Sequence, residues 1–265
     1  MASVLAVIAI FLYSLGSIRQ YQAVSARHTE FRPQVLILGT AAVLAHGLTW
    51  FTQLSSQSGV SFGFYNVGSL ISLVIAAVIV ISALKKPLEN LFLGVFPMAA
   101  LLLIINEVAT PSSQTVIMDQ GISAHIIFSI MAYSILTIAA FQAILLMVLD
   151  YQLKHKHMTG IVRALPPLQT MDRLLFEMLG IGTLLLTLAI GSGFFFLSDL
   201  FGQHLAHKTA FTILAWVTFT ALLLGHWRFG WRGTTASKWT LVGTGFLILA
   251  YFGSKFVLEI VLQKA

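Results

Sequence analysis

The chain has 265 residues, 58% of them hydrophobic and only 9% charged, with a net charge of +6 and no cysteine. A soluble domain is about 25% charged, so this composition excludes one and makes the bilayer the solvent. The missing cysteines exclude disulfides, thiolate metal sites, redox dithiols and covalent c-type haem attachment to this chain. The positive charge reads as a topology signal facing an anionic leaflet, not as a nucleic-acid footprint.

A spanning helix needs about 20 mostly apolar residues. The sequence predicts eight, over 2–17, 34–53, 66–84, 88–106, 122–149, 173–198, 208–226 and 239–262. Uninterrupted apolar runs such as 70–81 lack the alternation of a transmembrane strand. The first run reads as a retained span and not a cleaved signal, because its basic residue, Arg19, follows it. Pro97 is expected to kink the fourth span. Gly180, Gly182, Gly191 and Gly193 are expected to let the sixth lie close to a neighbour. Between spans five and six, Leu165-Pro166-Pro167-Leu168 is a stiff connector and not a domain. The expectation is an all-α polytopic membrane helix bundle, a single integral membrane domain over 1–265.

Basic residues set the expected orientation. Odd-numbered loops hold Arg19, Arg27, Arg32, Lys85, Lys86, Lys154, Lys156, Arg163, Arg173, Arg228, Arg232 and Lys238, most of the 15 Lys and Arg. The even-numbered loops hold Lys208 alone. Lys/Arg-rich loops stay in the cytoplasm, so both termini should face outward, to the periplasm. A reporter fused to the C-terminus is expected to work on the outer side; activity confined to the cytoplasm overturns the orientation.

No Asp, Glu, Lys or Arg falls near the middle of a span, where proton and ion carriers place them. Lys255 and Glu259 share a face of the last span and read as a neutralising pair; Glu107 and Asp119 border an outer loop. The histidines carry more chemistry. His46 lies about 10 Å below the expected outer surface and His125 about 5 Å below it. An imidazole can bind metal through one nitrogen while a hydrogen bond orients the other. Two at similar depth on different helices can hold an iron between them. A single membrane histidine instead bonds a neighbouring helix, and for His46 both readings stand.

Ser129 and Tyr133 follow His125 on the same helix face, placed to orient the ring or meet a propionate. His226 closes span seven about 27 Å from its outer end, a poor partner for His125. His204 and His207, in the outer loop 198–207, lack the third ligand that zinc needs and read as part of a cap over an outer-facing cavity. His28, His155 and His157 lie in basic loops and read as solvated. The segment from Gly225 to Gly233 interleaves aromatics with Arg, as an interfacial anchor does.

A family resemblance rests on the order of several motifs. They are Asn66-Val67-Gly68-Ser69-Leu70 with His46 upstream; His125 with Tyr133; Leu165-Pro166-Pro167-Leu168; Met171-Asp172-Arg173; Gly180 to Gly193; and Trp216 through Gly230-Trp231-Arg232-Gly233. Together they resemble the cytochrome c assembly family, the CcsA/CcmC/CcmF-like group of haem-handling membrane proteins, and within it the small YpjD-type inner-membrane branch. The resemblance covers most of the chain and is strongest from about residue 120. It implies that His125 is the outer histidine, a haem ligand. It sets His46 near the family's first membrane histidine, and His226 near the second but shifted relative to Trp216 and Trp231; His46 and His125 are expected as axial ligands, with His226 offering a lower site. It further implies a bacterial inner-membrane protein that binds or moves non-covalent haem b, with no bond chemistry of its own. Its partners would be haem and another membrane protein or cytochrome assembly factor.

Two departures stand out. The tryptophan-rich WWD segment of the family is absent, replaced by Ser198 to His207, and Leu262 stands where a second outer histidine is expected. Haem handover to an apocytochrome therefore lacks its residues. Two other readings stay open: a haem-free scaffold or partner subunit, and a small-solute permease. Uncharged span centres and the lack of a clear inverted repeat count against the permease.

Overall fold

The computed structural model describes residues 2–26, 32–56, 60–61, 63–109, 115–116, 120–156, 162, 165–196, 206–254 and 256. The described chain is almost entirely helical. It falls into two compact units, residues 1–117 with 163–165 and residues 118–162 with 166–265.

The first unit contains α1 (Ala2–Ala26), α2 (Arg32–Ser56), α3 (Phe64–Ala83) and α4 (Phe92–Val108). Helix α1 packs along α2 and α4, while α3 packs on α4 and α2. Small residues let these helices approach. A Cβ at Gly39 would lie 2.7 Å from Cζ of Phe96. Phe96 is fully buried and stacks on Phe92 at 4.6 Å. Helix α4 continues through Pro97 to Val108. Arg32 ties one end together: it donates to the Ala83 carbonyl at 3.0 Å and pairs with Glu89 at 2.6 Å. A two-residue ribbon, β1 (Val60–Ser61) with β2 (Thr115–Val116), runs antiparallel.

The second unit contains α5 (Gln120–Lys154), α6 (Leu168–Phe196), α7 (Ala206–Phe229) and α8 (Gly233–Ile248), which runs on into a π turn over Leu249–Gly253. Helix α5 packs against α6 and α8, and α7 against α8 and α6. Gly182 of α6 lies against Leu136 of α5, and Gly243 of α8 against Phe219 of α7. The expected glycine face on α6 is narrower than the sequence suggested. Among the described residues nothing lies within 4 Å of a Cβ at Gly180 or Gly191. Gly180 and Gly182 are two residues apart, about 200° around the helix, so they cannot both face α5.

Among the described residues, seven helices are long and apolar enough to cross a membrane. Helix α8 with its π turn follows them in the chain, and the end of its expected span, with Lys255 and Glu259, lies outside the described residues. Helix α5 runs past its expected end at 149 to Lys154, where Lys154 and Asp150 pair at 2.6 Å one turn apart. That pair supports the helix beyond its apolar stretch.

Candidate functional site

His46 sits on α2 with no exposed surface. Its Nε2 lies 3.0 Å from the Ser69 hydroxyl on α3, and its Nδ1 lies 3.5 Å from the Tyr13 hydroxyl on α1. The buried Tyr13 ring stands edge-on to the imidazole and also packs on Phe96 at 5.6 Å. One imidazole thus joins three helices of the first unit. Both of its nitrogens are engaged by protein hydroxyls, so binding a metal here would require one of those contacts to break.

His125 is different. It sits near the start of α5, half-buried, and its Nδ1 lies 2.8 Å from the Ala189 carbonyl on α6. A carbonyl only accepts, so Nδ1 carries the proton and Nε2 carries the lone pair. No hydrogen-bond partner for Nε2 is found among the described residues. A ring held by one nitrogen with the other bare is the arrangement that metal-ligating histidines share.

Ser129 follows one turn along α5, also half-buried. The Tyr133 hydroxyl donates to the Leu247 carbonyl on α8 at 3.0 Å, and its ring meets Tyr251 edge-on. It pins α5 to α8. Lys208 of α7 was not singled out as a site residue from sequence. It is close enough for its charge to act on His125, and its ammonium lies 5.1 Å over the Tyr251 ring. The signal that could have found it was its place as the lone basic residue in an even-numbered loop.

His226 lies at the end of α7. Its Nδ1 donates to the Trp231 carbonyl at 2.8 Å, and Phe176 of α6 stacks on its ring at 3.5 Å. The turn makes this possible. Gly230 adopts a φ of +69°, and its N–H bonds the His226 carbonyl at 3.0 Å, a left-handed helix cap that folds the chain back. Asp172 then accepts the Gly233 N–H at 2.9 Å. The result is a cavity of about 690 Å³, lined by His226, Phe176 and four charged side chains. The aromatic-Arg segment expected to serve only as an anchor therefore also walls a cavity. Its other wall comes from the start of α6, which no local pattern in α7 reveals.

The cap has a testable weak point. A Cβ on Gly225 would overlap the Trp231 ring, which also stacks on Trp239 at 5.9 Å. Gly225→Ala is expected to destabilise the protein by about 1–3 kcal/mol, as overpacking does. Thermal unfolding in detergent measures it; an unchanged midpoint would mean the Trp231 ring moves freely.

Of the remaining histidines, His155 and His207 are exposed, whereas His28, His157 and His204 lie outside the described residues. His125, Ser129 and Tyr133 share α5, and His226 is on α7 of the same unit. His46 belongs to the first unit. Among the described residues no three His, Asp or Glu side chains gather where they could hold a metal ion. A bare zinc ion needs three or four protein ligands. Haem iron arrives held by its own ring and takes only axial ligands from the protein. The Nε2 of His125, unpartnered among the described residues, fits the second case.

The sequence profile described as cytochrome C assembly protein matches residues 35–262. The chain is 31% identical to the inner membrane protein YpjD of Escherichia coli strain K12, over 97% of this chain and 99% of that protein. The counterpart in Escherichia coli O157:H7 matches equally well. An uncharacterized 28.8 kDa protein in the nifR3-like 5′ region of Azospirillum brasilense is 34% identical over 53% of each chain. No solved structure matches significantly. The inner-membrane relative and the seven membrane-crossing helices make this a multi-pass inner-membrane protein. A profile match over most of the chain, and a relative aligned nearly end to end, lead to one conclusion: the chain belongs to the cytochrome c assembly protein family.

Proposed function

We propose that the protein binds non-covalent haem b and hands it on in support of cytochrome biogenesis, with His125 as an axial ligand. One observation carries this reading: the half-buried His125 ring is fixed through Nδ1 to the Ala189 carbonyl, and Nε2 has no hydrogen-bond partner among the described residues. Bound haem would supply an iron that the His125 Nε2 could hold.

The rest of the work falls to this chain. The Ala189 carbonyl sets the tautomer and makes Nε2 a better ligand. Tyr133 holds α5 against α8, so the ring sits on a rigid base. Ser129 and Lys208 offer a hydroxyl and a cation to the carboxylates of the porphyrin. None of these residues needs to break a bond in a substrate, so the reading is of a carrier and not an enzyme. Because segment 198–207 has no tryptophan, we assign the delivery surface to a partner, a membrane protein or a cytochrome assembly factor.

His46 has no part in this reading. With both nitrogens engaged, it serves to pack the first unit. The absorption spectrum of the detergent-purified protein, oxidised and reduced, is the test. Bands of a b-type haem support the proposal. A haem-free spectrum from cells supplied with haem overturns it, and a stoichiometric co-purifying protein would then point to a scaffold.

A further inference from the structure

The cavity beside His226 holds charges of both signs. Arg173 and Arg232 line it together with Asp172 and Glu177, over an apolar wall of Leu168 and Phe176. We propose that this cavity binds the headgroup of a zwitterionic phospholipid, a phosphodiester that also carries a primary ammonium. The proposal does not depend on haem at His125.

Three observations support it. First, the two guanidinium groups are available. Arg232 has no ion-pair partner among the described residues, and Arg173 meets Glu177 only at 3.7 Å, too far for a hydrogen bond. Planar guanidinium groups suit a phosphate, which they can grip in a bidentate manner.

Second, Asp172 calls for a cation as well. Asp172 is only 8% exposed and spends one oxygen on the Gly233 N–H, leaving the other to accept. A ligand with two carboxylates, such as a porphyrin, would set like charges against Asp172 and Glu177. A simple cation would leave the arginines unanswered. A phosphate joined to an ammonium answers both the arginines and Asp172.

Third, the cavity lies at the level where a headgroup lies. Helix α7 ends here, α8 and α6 begin here, and Trp227, Phe229 and Trp239 are exposed around the same turn. Such rings mark the membrane–water interface, where basic pockets meet lipid headgroups. Leu168 and Phe176 supply the apolar surface for the glycerol and the first methylenes.

The full-length protein would be offered an equal mixture of phosphatidylethanolamine, phosphatidylcholine and phosphatidylglycerol with identical acyl chains. Retained lipid is then counted by native mass spectrometry. One phosphatidylethanolamine per chain is expected. Phosphatidylcholine lacks N–H donors and phosphatidylglycerol lacks the cation, so both should be lost first. Arg232→Gln should weaken retention about tenfold, the loss of one charge-assisted contact. Asp172→Asn keeps an oxygen to accept the Gly233 N–H and should erase the preference over phosphatidylglycerol. If Arg232→Gln fails to fold, Arg232→Lys keeps the charge without the fork and should give an intermediate loss. Equal retention of all three lipids, or retention unchanged in both variants, overturns the proposal. Equally tight binding of soluble phosphoethanolamine without lipid overturns the lipid assignment. Haem that is lost in His226→Ala but kept in His125→Ala would place iron in the cavity and overturn it as well.

Discussion

His125→Ala, purified from haem-supplied cells, is expected to retain less than about a tenth of the haem bound by the unsubstituted protein. The size follows from the geometry. Disturbing only the hydrogen-bonded support of a metal-ligating histidine costs about 10–100-fold in affinity, and removing the ligand itself costs at least that. The substitution should leave the fold intact, because the half-buried ring makes one hydrogen bond to a carbonyl that Ser192 also engages. Two controls separate ligation from misfolding. Added imidazole should restore the bands in His125→Ala by entering the vacated space. His125→Met should retain some haem with an altered spectrum and a higher potential, as a thioether ligand gives. An unchanged spectrum in His125→Ala removes this residue as the ligand.

His46→Ala is expected to do the opposite: it should cost stability and leave haem content unchanged. The ring has no exposed surface, and its loss opens a cavity among α1, α2 and α3. It also strands the hydroxyls of Tyr13 and Ser69, both fully buried. A large-to-small core change with stranded polar groups costs about 3 kcal/mol or more. Ser69→Ala should cost less, about 1 kcal/mol. The double-mutant cycle between them should give a coupling of about 0.6–2 kcal/mol, the range for hydrogen bonds between membrane helices. A stable His46→Ala protein that has lost its haem would make His46 an iron ligand and reverse the assignment.

The two histidines show how far local sequence reaches. Depth can be counted from a span end at 1.5 Å per residue, so both were visible as polar groups just beneath one surface. Depth says nothing about direction around the helix. The partners of His46 lie 33 and 23 residues away, and the anchor of His125 lies 64 residues away on a backbone carbonyl. A backbone carbonyl has no residue signature, so no motif could have announced it. Tyr133 taught the same lesson in reverse: correct spacing put it on the His125 face, yet its hydroxyl turns to Leu247 on α8.

The sequence by itself determined the solvent, the helical class, the approximate spans and the family. Those follow from composition, from apolar run length and from the order of motifs, and each is read along the chain without knowing which residues meet in space. Only the tertiary structure decided which imidazole nitrogen is bare, which glycine of α6 touches a neighbour, and that Asp172 and Arg173 join Arg232 around one cavity. Those depend on the rotation of each helix about its axis. That rotation is set by packing between helices, and it is invisible to any count along one of them.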